Sequence, residues 1–294
     1  MLSILIPIYN YDAFPLVSEL HKQCLENKID FEILCQDDAS NQFLTENRKI
    51  NDLEKCNFSR NNSNFGRSKM RNFLAEKAKF EWLLMMDCDT FPTENDYIQK
   101  YFSQINEGQN VVYGGIKYQK EKPNNDQLLR WIYGNARESL SVEKRYTNAN
   151  GNALTSNILI RKNIFISNKF DESITKYGYE DLVFLSDLKK KGILVKHIDN
   201  ATYHLGLETS NQFLEKTKTA LENLKLITKN NPLDSSESKI LRTFSFLKRF
   251  YLVGFVAFLF KKAERKIEQN LLSQKPSLLL FDLYKLGYFC SLKN

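Results

Sequence analysis

The chain has 294 residues, of which 42% are hydrophobic and 13% aromatic. This length and composition exclude a disordered protein and suit one large α/β domain with an appendage. The five cysteines contain no Cys-x-x-Cys pair, which argues against a disulfide framework or zinc site and favours a reducing compartment. Residues 1–7 have no basic segment before their apolar residues, so we expect a cytoplasmic catalytic part rather than a secreted one.

The positive charge lies at one end of the chain. Residues 239–294 hold 11 Lys and Arg against 3 Asp and Glu, whereas residues 1–238 hold 31 against 32. A nucleic-acid-binding protein would carry its positive face on the folded domain. The asymmetry therefore argues against nucleic acid and favours an anionic membrane surface as partner.

Apolar periodicity predicts alternating strands and helices, with parallel β-α-β units at the start. The predicted strands cover residues 3–8, 31–35, 81–86, 111–118, 153–160 and 193–198. The predicted helices include apolar stripes around residues 16–24, 67–79, 97–105 and 180–191, with Thr93 as a capping residue for the third.

Asp87-Cys88-Asp89 directly follows the apolar run 82–86. A short buried strand that ends in two carboxylates delivers oxygen ligands to the carboxyl edge of a sheet, where open α/β folds bind ligands. Such oxygens suit Mg²⁺ or Mn²⁺. Because an Asp-x-Asp tripeptide also arises by chance, its position after a strand carries the argument.

Glu180-Asp181 opens a predicted helix that ends at Gly192. Two acidic residues in a first turn are commonly a structural choice that complements the helix macrodipole. Here Gly178 and two tyrosines come directly before them, which supplies a tight turn and an aromatic surface for a sugar ring.

The C-terminal region contains the apolar run 250–260 between two basic pairs. As a helix, this run would span roughly 16 Å, about half of a bilayer core. It suits a helix that lies in the membrane interface, and residues 278–289 repeat its character. The alternative is that these helices pack on the catalytic domain or on a second copy of the chain.

Five motifs in order resemble those of family 2 glycosyltransferases, over about residues 1–207. They are Ser3-Ile4-Leu5-Ile6-Pro7-Ile8-Tyr9-Asn10, Asp37-Asp38-Ala39-Ser40, Asn64-Phe65-Gly66-Arg67-Ser68-Lys69-Met70-Arg71-Asn72, Asp87-Cys88-Asp89 and Tyr177-Gly178-Tyr179-Glu180-Asp181. The resemblance implies the nucleotide-diphospho-sugar transferase (type A) fold, a mainly parallel central sheet flanked by helices. It implies a catalytic domain over residues 1–207, with a nucleotide half (about 1–90) and an acceptor half (91–207), before a helical extension over 208–294.

The same resemblance assigns roles on the donor side of the site. Asp38 would bind the base, Tyr9 and Pro7 would line its face, and Arg71 would contact the nucleotide. Without the resemblance, Asp38 is better interpreted as a turn residue, since Asp-Ala-Ser is a good turn sequence. Arg67 and Lys69 are expected to be solvated charges. Ala39 stands where the family usually has glycine, which leaves the tightness of that turn open.

The resemblance also assigns different roles to the two carboxylates of the acidic tripeptide. Asp87 would contact the ribose or the metal's water, Asp89 would bind Mn²⁺ or Mg²⁺, and His204 would be a third metal ligand. His204 is otherwise read as a packing histidine, because a hard cation prefers oxygen.

The resemblance assigns the remaining roles to two acidic residues and one asparagine. Asp181 is the expected base for an inverting reaction and Glu180 orients the acceptor hydroxyl, although the two roles are exchangeable. The helix N-terminus is expected to keep both acids ionised. Asn157 matches a position near the donor sugar.

The predicted function is therefore transfer of a hexosyl or N-acetylhexosaminyl group from a UDP-sugar to a glycan or lipid-linked glycan of the bacterial cell surface. The enzyme would be peripheral on the inner face of the cell membrane. Two alternatives stay open, namely a nucleotidyltransferase of related fold and a non-catalytic membrane-associated carbohydrate-binding protein. The absence of Gly-x-Gly-x-x-Gly after the first strand argues against an NAD oxidoreductase.

Overall fold

The computed structural model describes residues 1–107, 109–230 and 238–292. Its strands are β1 (Leu2–Ile8), β2 (Phe31–Asp37), β3 (Cys56–Arg60), β4 (Trp82–Met86), β5 (Thr90–Pro92), β6 (Val111–Tyr113), β7 (Ile116–Lys117), β8 (Asn157–Arg161), β9 (Lys196–His197) and β10 (Thr202–His204). The helices of the first 207 residues are α1 (Phe14–Glu26), α2 (Leu44–Arg48), α3 (Arg67–Lys77), α4 (Tyr97–Asn106), α5 (Leu128–Tyr133), α6 (Val142–Tyr146), α7 (Lys162–Ile166) and α8 (Glu180–Lys190). Those that follow are α9 (Ser210–Asn230), α10 (Lys239–Arg249), α11 (Val253–Leu271) and α12 (Leu278–Ser291).

The central sheet has seven strands in the order β3-β2-β1-β4-β8-β6-β9. Its first four strands are mutually parallel, and β8 runs antiparallel to both of its neighbours. The carboxyl ends of β1, β2 and β4 therefore lie at one edge. The motifs that follow these strands meet there, as expected for a ligand site in an open α/β sheet.

Both faces of the central sheet are covered, which explains why its strands are continuously apolar. Along β4, Trp82, Leu84 and Met86 pack into one core cluster with residues of α1 and α4. The alternate residues Leu83 and Met85 pack into a second cluster with residues of α3 and α8. This alternation fixes the register of β4 and so fixes the direction in which Asp87 leaves the sheet.

Three sequence expectations about the fold need correction. The predicted strand 111–118 is broken into β6 and β7 at Gly114 and Gly115, where Gly115 has a φ of 102°. The predicted strand 193–198 is reduced to the two residues of β9. Thr93 does not cap α4; its backbone N–H and hydroxyl both donate to the carbonyl of Ala201.

A second, three-stranded sheet has the order β5-β10-β7. The antiparallel register of β10 with β5 sets His204 opposite Thr90. The backbone N–H of Leu205 then donates to the carbonyl of Asp89 at 2.8 Å. This small sheet brings β10 against the acidic tripeptide.

The C-terminal helices pack on the rest of the chain over part of their length. Phe260 of α11 and Phe281 and Tyr284 of α12 share one buried cluster with Leu129 of α5. For α12 the structure supports the alternative of packing on the rest of the chain at Phe281, Tyr284 and Phe289, which are buried in clusters with residues of α9 and α11. Leu279 and Leu283 of the same helix are exposed. The predicted boundary at residue 207 precedes α9 by three residues and stays a prediction.

No single helix of the described residues is long and apolar enough to cross a membrane. α10 and α11 satisfy that criterion only when taken together, and they meet at a bend of 118°.

Candidate active site

Two adjoining clefts open at the carboxyl edge of the sheet. The β1 cleft has a volume of about 470 Å³ and is lined on one side by residues that follow β1, β2 and β4. The α8 cleft has a volume of about 290 Å³ and is lined by the first turn of α8 and by β10. Both clefts are lined by Arg67, Asp87, Asp89, Tyr177, Glu180 and Lys216.

The β1 cleft is lined by all four residues that are expected to bind the nucleotide beside Asp87: Pro7, Tyr9, Asp38 and Arg71. Tyr9 is 55% exposed and directly follows Ile8, the last residue of β1. An exposed aromatic ring at a strand end is free to stack on a planar ligand.

Asp38 supports the turn that precedes α3. One carboxylate oxygen accepts hydrogen bonds from the backbone N–H of Phe65 at 2.7 Å and the side-chain amide of Asn61 at 3.1 Å. The other oxygen accepts from the backbone N–H of Gly66 at 2.9 Å. Gly66 has a φ of 80°, which favours glycine. Asp38 therefore shapes the loop that directs the N-terminus of α3 toward the cleft.

The turn after β2 keeps the conformation that glycine normally supplies. Ala39 has a φ of 63°, in the left-handed region. Ser40 closes the turn by donating its N–H to Asp37 and accepting from the N–H of Asn10. The replacement of glycine therefore leaves the turn in place, with strain at one residue.

Arg71 and Asp87 form a tight, largely buried ion pair. Nη2 of Arg71 lies 2.7 Å from Oδ1 of Asp87, and the arginine side chain is 3% exposed. Burial opposes the ionisation of Asp87, but the guanidinium groups of Arg71 and Arg67 outweigh it and lower the pKa of the carboxyl group. Nη1 of Arg71 is buried and has no hydrogen-bond partner among the residues that the structure describes. A buried, unpaired donor in a cleft wall is suited to an anionic or carbonyl ligand.

Asp89 lies on the boundary between the clefts, beside β10. Its Oδ2 is 3.5 Å from Nε2 of His204, whose ring stacks on Tyr118. Burial raises the pKa of Asp89, His204 opposes that shift and the neighbouring Asp87 reinforces it. A Cβ added to Gly206 would approach Oδ2 of Asp89 to 2.5 Å, so any side chain at this position would displace the Asp89 carboxylate.

The donor set partly fits a divalent cation. Within the described ranges, no group of three or more His, Cys, Asp or Glu side chains is placed to hold a metal ion. Asp89 and His204 nevertheless face each other on the cleft wall, and Asp87 also lines it. A cation held by so few side chains takes its other ligands from substrate and water, which is the usual arrangement for Mg²⁺ with a phosphate ligand.

Glu180 and Asp181 both line the α8 cleft but differ in their surroundings. Oδ1 of Asp181 accepts from the hydroxyl of Thr155 at 2.6 Å, and Oδ2 accepts from the Thr155 backbone N–H at 3.2 Å. Glu180 is 5% exposed, and within the described part of the chain one of its oxygens has no hydrogen-bond partner. Burial and the neighbouring Asp181 raise the pKa of Glu180 above its ordinary value.

Asn157 does not lie in either cleft, so the prediction of a donor-sugar contact is wrong. Its side chain is fully buried. The amide nitrogen donates to the carbonyls of Gly115 and Asn200, and the amide oxygen accepts from the hydroxyls of Tyr97 and Tyr101. These bonds engage the whole amide group. Asn157 instead ties β8 to α4 and to the loop before β10.

Arg67 contributes more to the site than the sequence suggested. Half of its side chain is exposed, but the guanidinium lies 4.8 Å from the ring centre of Tyr177 and 3.5 Å from Glu180. It is the first residue of α3 and borders both clefts. The signal in the sequence that could have identified Arg67 was its position directly after the glycine turn. Lys69, two residues later, lines neither cleft.

A buried charge cluster in the far wall of the α8 cleft was also missed. Arg130 is 7% exposed and donates from both terminal nitrogens to Oε2 of Glu138 at 3.1 Å. Tyr118 also donates to Glu138. Glu138 ends a π-helical turn, Gly134–Glu138, which directly follows α5. Such turns often occur at functional sites, but their sequence signal is weak.

Two solved structures share the fold at low sequence identity. The mannosyltransferase PcManGT from Pyrobaculum calidifontis, in complex with GDP-Man and Mn²⁺, matches with a TM-score of 0.58 and 13% identity, over 97% of this chain and 79% of that one. Residues 1–349 of S. aureus TarS match with a TM-score of 0.51 and 18% identity, over 99% and 90%. Against a longer TarS structure the TM-score is 0.50, and the match spans 42% of the TarS chain. No curated protein sequence gives a match.

The family comparison covers more than half of the chain. The model of glycosyl transferase family 2 matches residues 3–169, which include β1, the Asp38 turn, α3 and the acidic tripeptide. The observed sheet and the structural neighbours agree with the predicted type A fold. The chain is a member of glycosyl transferase family 2, and the protein is a glycosyltransferase.

Proposed function

We propose that the protein inverts the anomeric centre of a sugar as it transfers it from a UDP-sugar to a hydroxyl group of a glycan or lipid-linked glycan. The observation that carries the proposal is the shared wall of the two clefts, where Asp87, Asp89, Arg67 and Glu180 face both. A donor in the β1 cleft would thus present its anomeric carbon to an acceptor in the α8 cleft. The transferred group is a hexosyl or N-acetylhexosaminyl unit.

In this proposal the β1 cleft binds the nucleotide. Tyr9 stacks on the uracil, and Asp38 Oδ2, which takes a single hydrogen bond from the protein, accepts from the base N–H. The unpaired Nη1 of Arg71 donates to the nucleotide, while Nη2 fixes Asp87 beside the ribose. The N-terminus of α3 adds a positive end for the diphosphate.

Asp89 and His204, with Asp87 beside them, would hold the divalent metal, Mn²⁺ or Mg²⁺. A metal bound there supplies Lewis-acid stabilisation of the charge that develops on the departing nucleoside diphosphate. Arg67 adds a fixed positive charge at the same boundary. A charge aimed at the leaving group in a partly buried site lowers the barrier more than it would in water.

Asp181 acts as the base. Thr155 donates two hydrogen bonds to it and so fixes the direction of its carboxylate in the cleft. Glu180 faces the Arg67 guanidinium and orients the acceptor hydroxyl. As the hydroxyl oxygen attacks the anomeric carbon, the bond from that carbon to the diphosphate oxygen breaks, and the hydroxyl proton passes to Asp181.

The test is a thermal-shift panel of UDP-, GDP- and dTDP-sugars, each with and without Mn²⁺. Because a specific ligand stabilises the folded state by mass action, the UDP-sugars are expected to raise the melting temperature most and to need Mn²⁺ for the full effect. GDP-mannose is the matched alternative, since the PcManGT structure contains it. Stabilisation by guanine sugars alone would overturn the uracil assignment, and no stabilisation by any of them would overturn the proposed function.

A further inference from the structure

An exposed apolar surface surrounds the junction of α10 and α11. We call residues 246–259 the elbow. Seven of its large apolar side chains are between 41% and 94% exposed: Phe246, Phe250, Tyr251, Leu252, Phe255, Phe258 and Leu259. Other exposed large apolar residues in the first 207 positions, such as Leu25 and Leu194, lie far apart in the sequence. An apolar patch of this density marks an interaction surface rather than ordinary surface composition.

The elbow is bordered by positive charge. Residues 239–263 contain six Lys and Arg and no Asp or Glu. Lys248 and Arg249 precede the bend, and Lys261 and Lys262 follow the apolar run; all four are exposed. Aromatic residues between cationic pairs match the interface of an anionic bilayer, where rings enter the headgroup region and the cations meet lipid phosphates.

The elbow is anchored at both ends. Leu247 and Phe260 are buried, at 9% and 5% exposure. Phe260 packs on Gly287 of α12, where an added Cβ would lie 2.5 Å from its ring. It also shares a cluster with Leu129, the neighbour in sequence of Arg130 in the α8 cleft wall. The exposed rings therefore project from a packed base that adjoins the acceptor side of the site.

We propose that the elbow docks the enzyme on an anionic phospholipid surface, lying in the interface without crossing the bilayer. The charge complementarity selects this partner over a second copy of the chain, because two elbows in contact would bring the bordering cations of both copies together, namely Lys248, Arg249, Lys261 and Lys262 of each. The further statement that docking brings a lipid-linked acceptor to the α8 cleft rests on the proposed function. The docking itself does not depend on that function.

The test is co-sedimentation of the full chain with vesicles of phosphatidylglycerol and phosphatidylcholine in equal amounts. We expect binding that weakens as salt rises, since salt screens the cations, and little binding to pure phosphatidylcholine. Phe250→Ser with Phe255→Ser should lower the partition coefficient roughly tenfold or more per ring. Lys261→Glu with Lys262→Glu should lower it by at least about 20-fold, from the loss of roughly fivefold per cation.

Matched controls change the same chemistry elsewhere on the surface. Leu25→Ser with Leu194→Ser removes two apolar side chains that are 48% and 65% exposed, and Lys120→Glu with Lys122→Glu reverses two exposed charges. Both control pairs should sediment with vesicles like the wild type. Circular dichroism melting of every variant, measured without lipid, verifies that the fold is intact.

Two results would overturn the proposal. One is vesicle binding that the elbow variants leave unchanged in folded protein. The other is a wild-type dimer in sedimentation equilibrium that the elbow variants dissociate, with no binding of the wild type to vesicles. Neither result depends on turnover, so failure of the membrane proposal and failure of the glycosyl-transfer proposal are distinguishable.

Discussion

The two clefts that meet at Asp87 and Asp89 differ in how their charges are paired. In the β1 cleft, Arg71 contacts Asp87 at 2.7 Å, and with Arg67 it lowers the pKa of that carboxyl group. In the α8 cleft, burial and a neighbouring acid raise the pKa of Glu180. A close ion pair fixes the positions of groups that bind a ligand. Acids that lie next to each other have raised pKa values and so accept a proton more readily. In the proposed function, the Arg71 side of this wall binds the donor and the Asp181 side takes up the proton.

The largest expected effect separates the two clefts by function. Asp181→Asn removes the proton acceptor but keeps the size of the side chain, so turnover should fall by about 10³-fold. Donor binding should stay within about twofold of the wild type, because Asp181 does not line the β1 cleft. Steady-state kinetics and nucleotide titration measure the two quantities. If Glu180→Gln removes turnover and Asp181→Asn does not, the two roles are exchanged.

A substitution of Arg67 tests whether the wall shared by the two clefts contributes to turnover. Arg67→Gln removes a charge that faces both clefts, and turnover should fall by about 10²-fold, since one lost electrostatic contact to the leaving group has that order of effect. Lys69→Gln is the matched control, because Lys69 is an exposed cation on the same helix outside both clefts. Equal losses for the two variants would show a general charge effect instead.

Gly206 tests the position of Asp89 without changing a charged group. In Gly206→Ala the new Cβ would lie 2.5 Å from Oδ2 of Asp89, so the carboxylate must move. We expect about a tenfold higher Mn²⁺ concentration for half-maximal activity, with little change in melting temperature. An unchanged Mn²⁺ requirement would separate Asp89 from the metal.

His197 contrasts a packed histidine with His204 in the cleft. Burial lowers the pKa of His197 to about 4. In the unfolded chain this histidine has its ordinary pKa of about 6.5, so as the pH falls it is protonated there before it is protonated in the folded protein. The stability that the neutral ring contributes is therefore present above pH 6.5 and should decline as the pH falls toward 4. The loss attributable to this residue between pH 7.5 and 5 should be about 2 kcal/mol.

His197→Gln should flatten that part of the pH dependence in chemical denaturation, whatever its effect on absolute stability. His204→Gln should reduce Mn²⁺-dependent turnover. The same pH profile for wild type and His197→Gln would rule out the buried neutral state.

The smallest expected effect concerns the turn after β2. Ala39 has the left-handed φ that glycine adopts without strain, and the relief is partly offset by the greater freedom of glycine when unfolded. Ala39→Gly should therefore stabilise the fold by about 0.5 kcal/mol, which calorimetry would record as a rise of roughly 1 °C. A loss of stability would show that the turn has adapted to alanine.

Residues at the ends of regular elements were predictable from the sequence. Asp38 and Asp87 follow strands, and Glu180 opens a helix, so their approach to one edge follows from parallel topology. Asn157 was misplaced because its motif gives a position along β8 and not the face on which its amide is bonded. The Arg130–Glu138 pair depends on a π-helical turn, which leaves no clear periodic pattern.

The C-terminal region shows the same limit on a larger scale. Residues 250–260 and 278–289 are similarly apolar, yet the first segment exposes four of its five rings and the second buries three of its four. Composition does not distinguish a helix that packs inside a protein from one that faces outward. The flanking charges gave the better signal, since the exposed run lies between two basic pairs.

The most direct test of the shared-wall account is calorimetric titration of UDP, in the presence of Mn²⁺, into the wild type, Asp89→Asn and Asp181→Asn. The account predicts that Asp89→Asn weakens UDP binding at least about tenfold, from the loss of a charge-assisted metal contact. It predicts that Asp181→Asn stays within about twofold of the wild type, although its turnover is lost. Equal weakening in both variants, or none in Asp89→Asn, would contradict the division of the site into a binding side and a proton-transfer side.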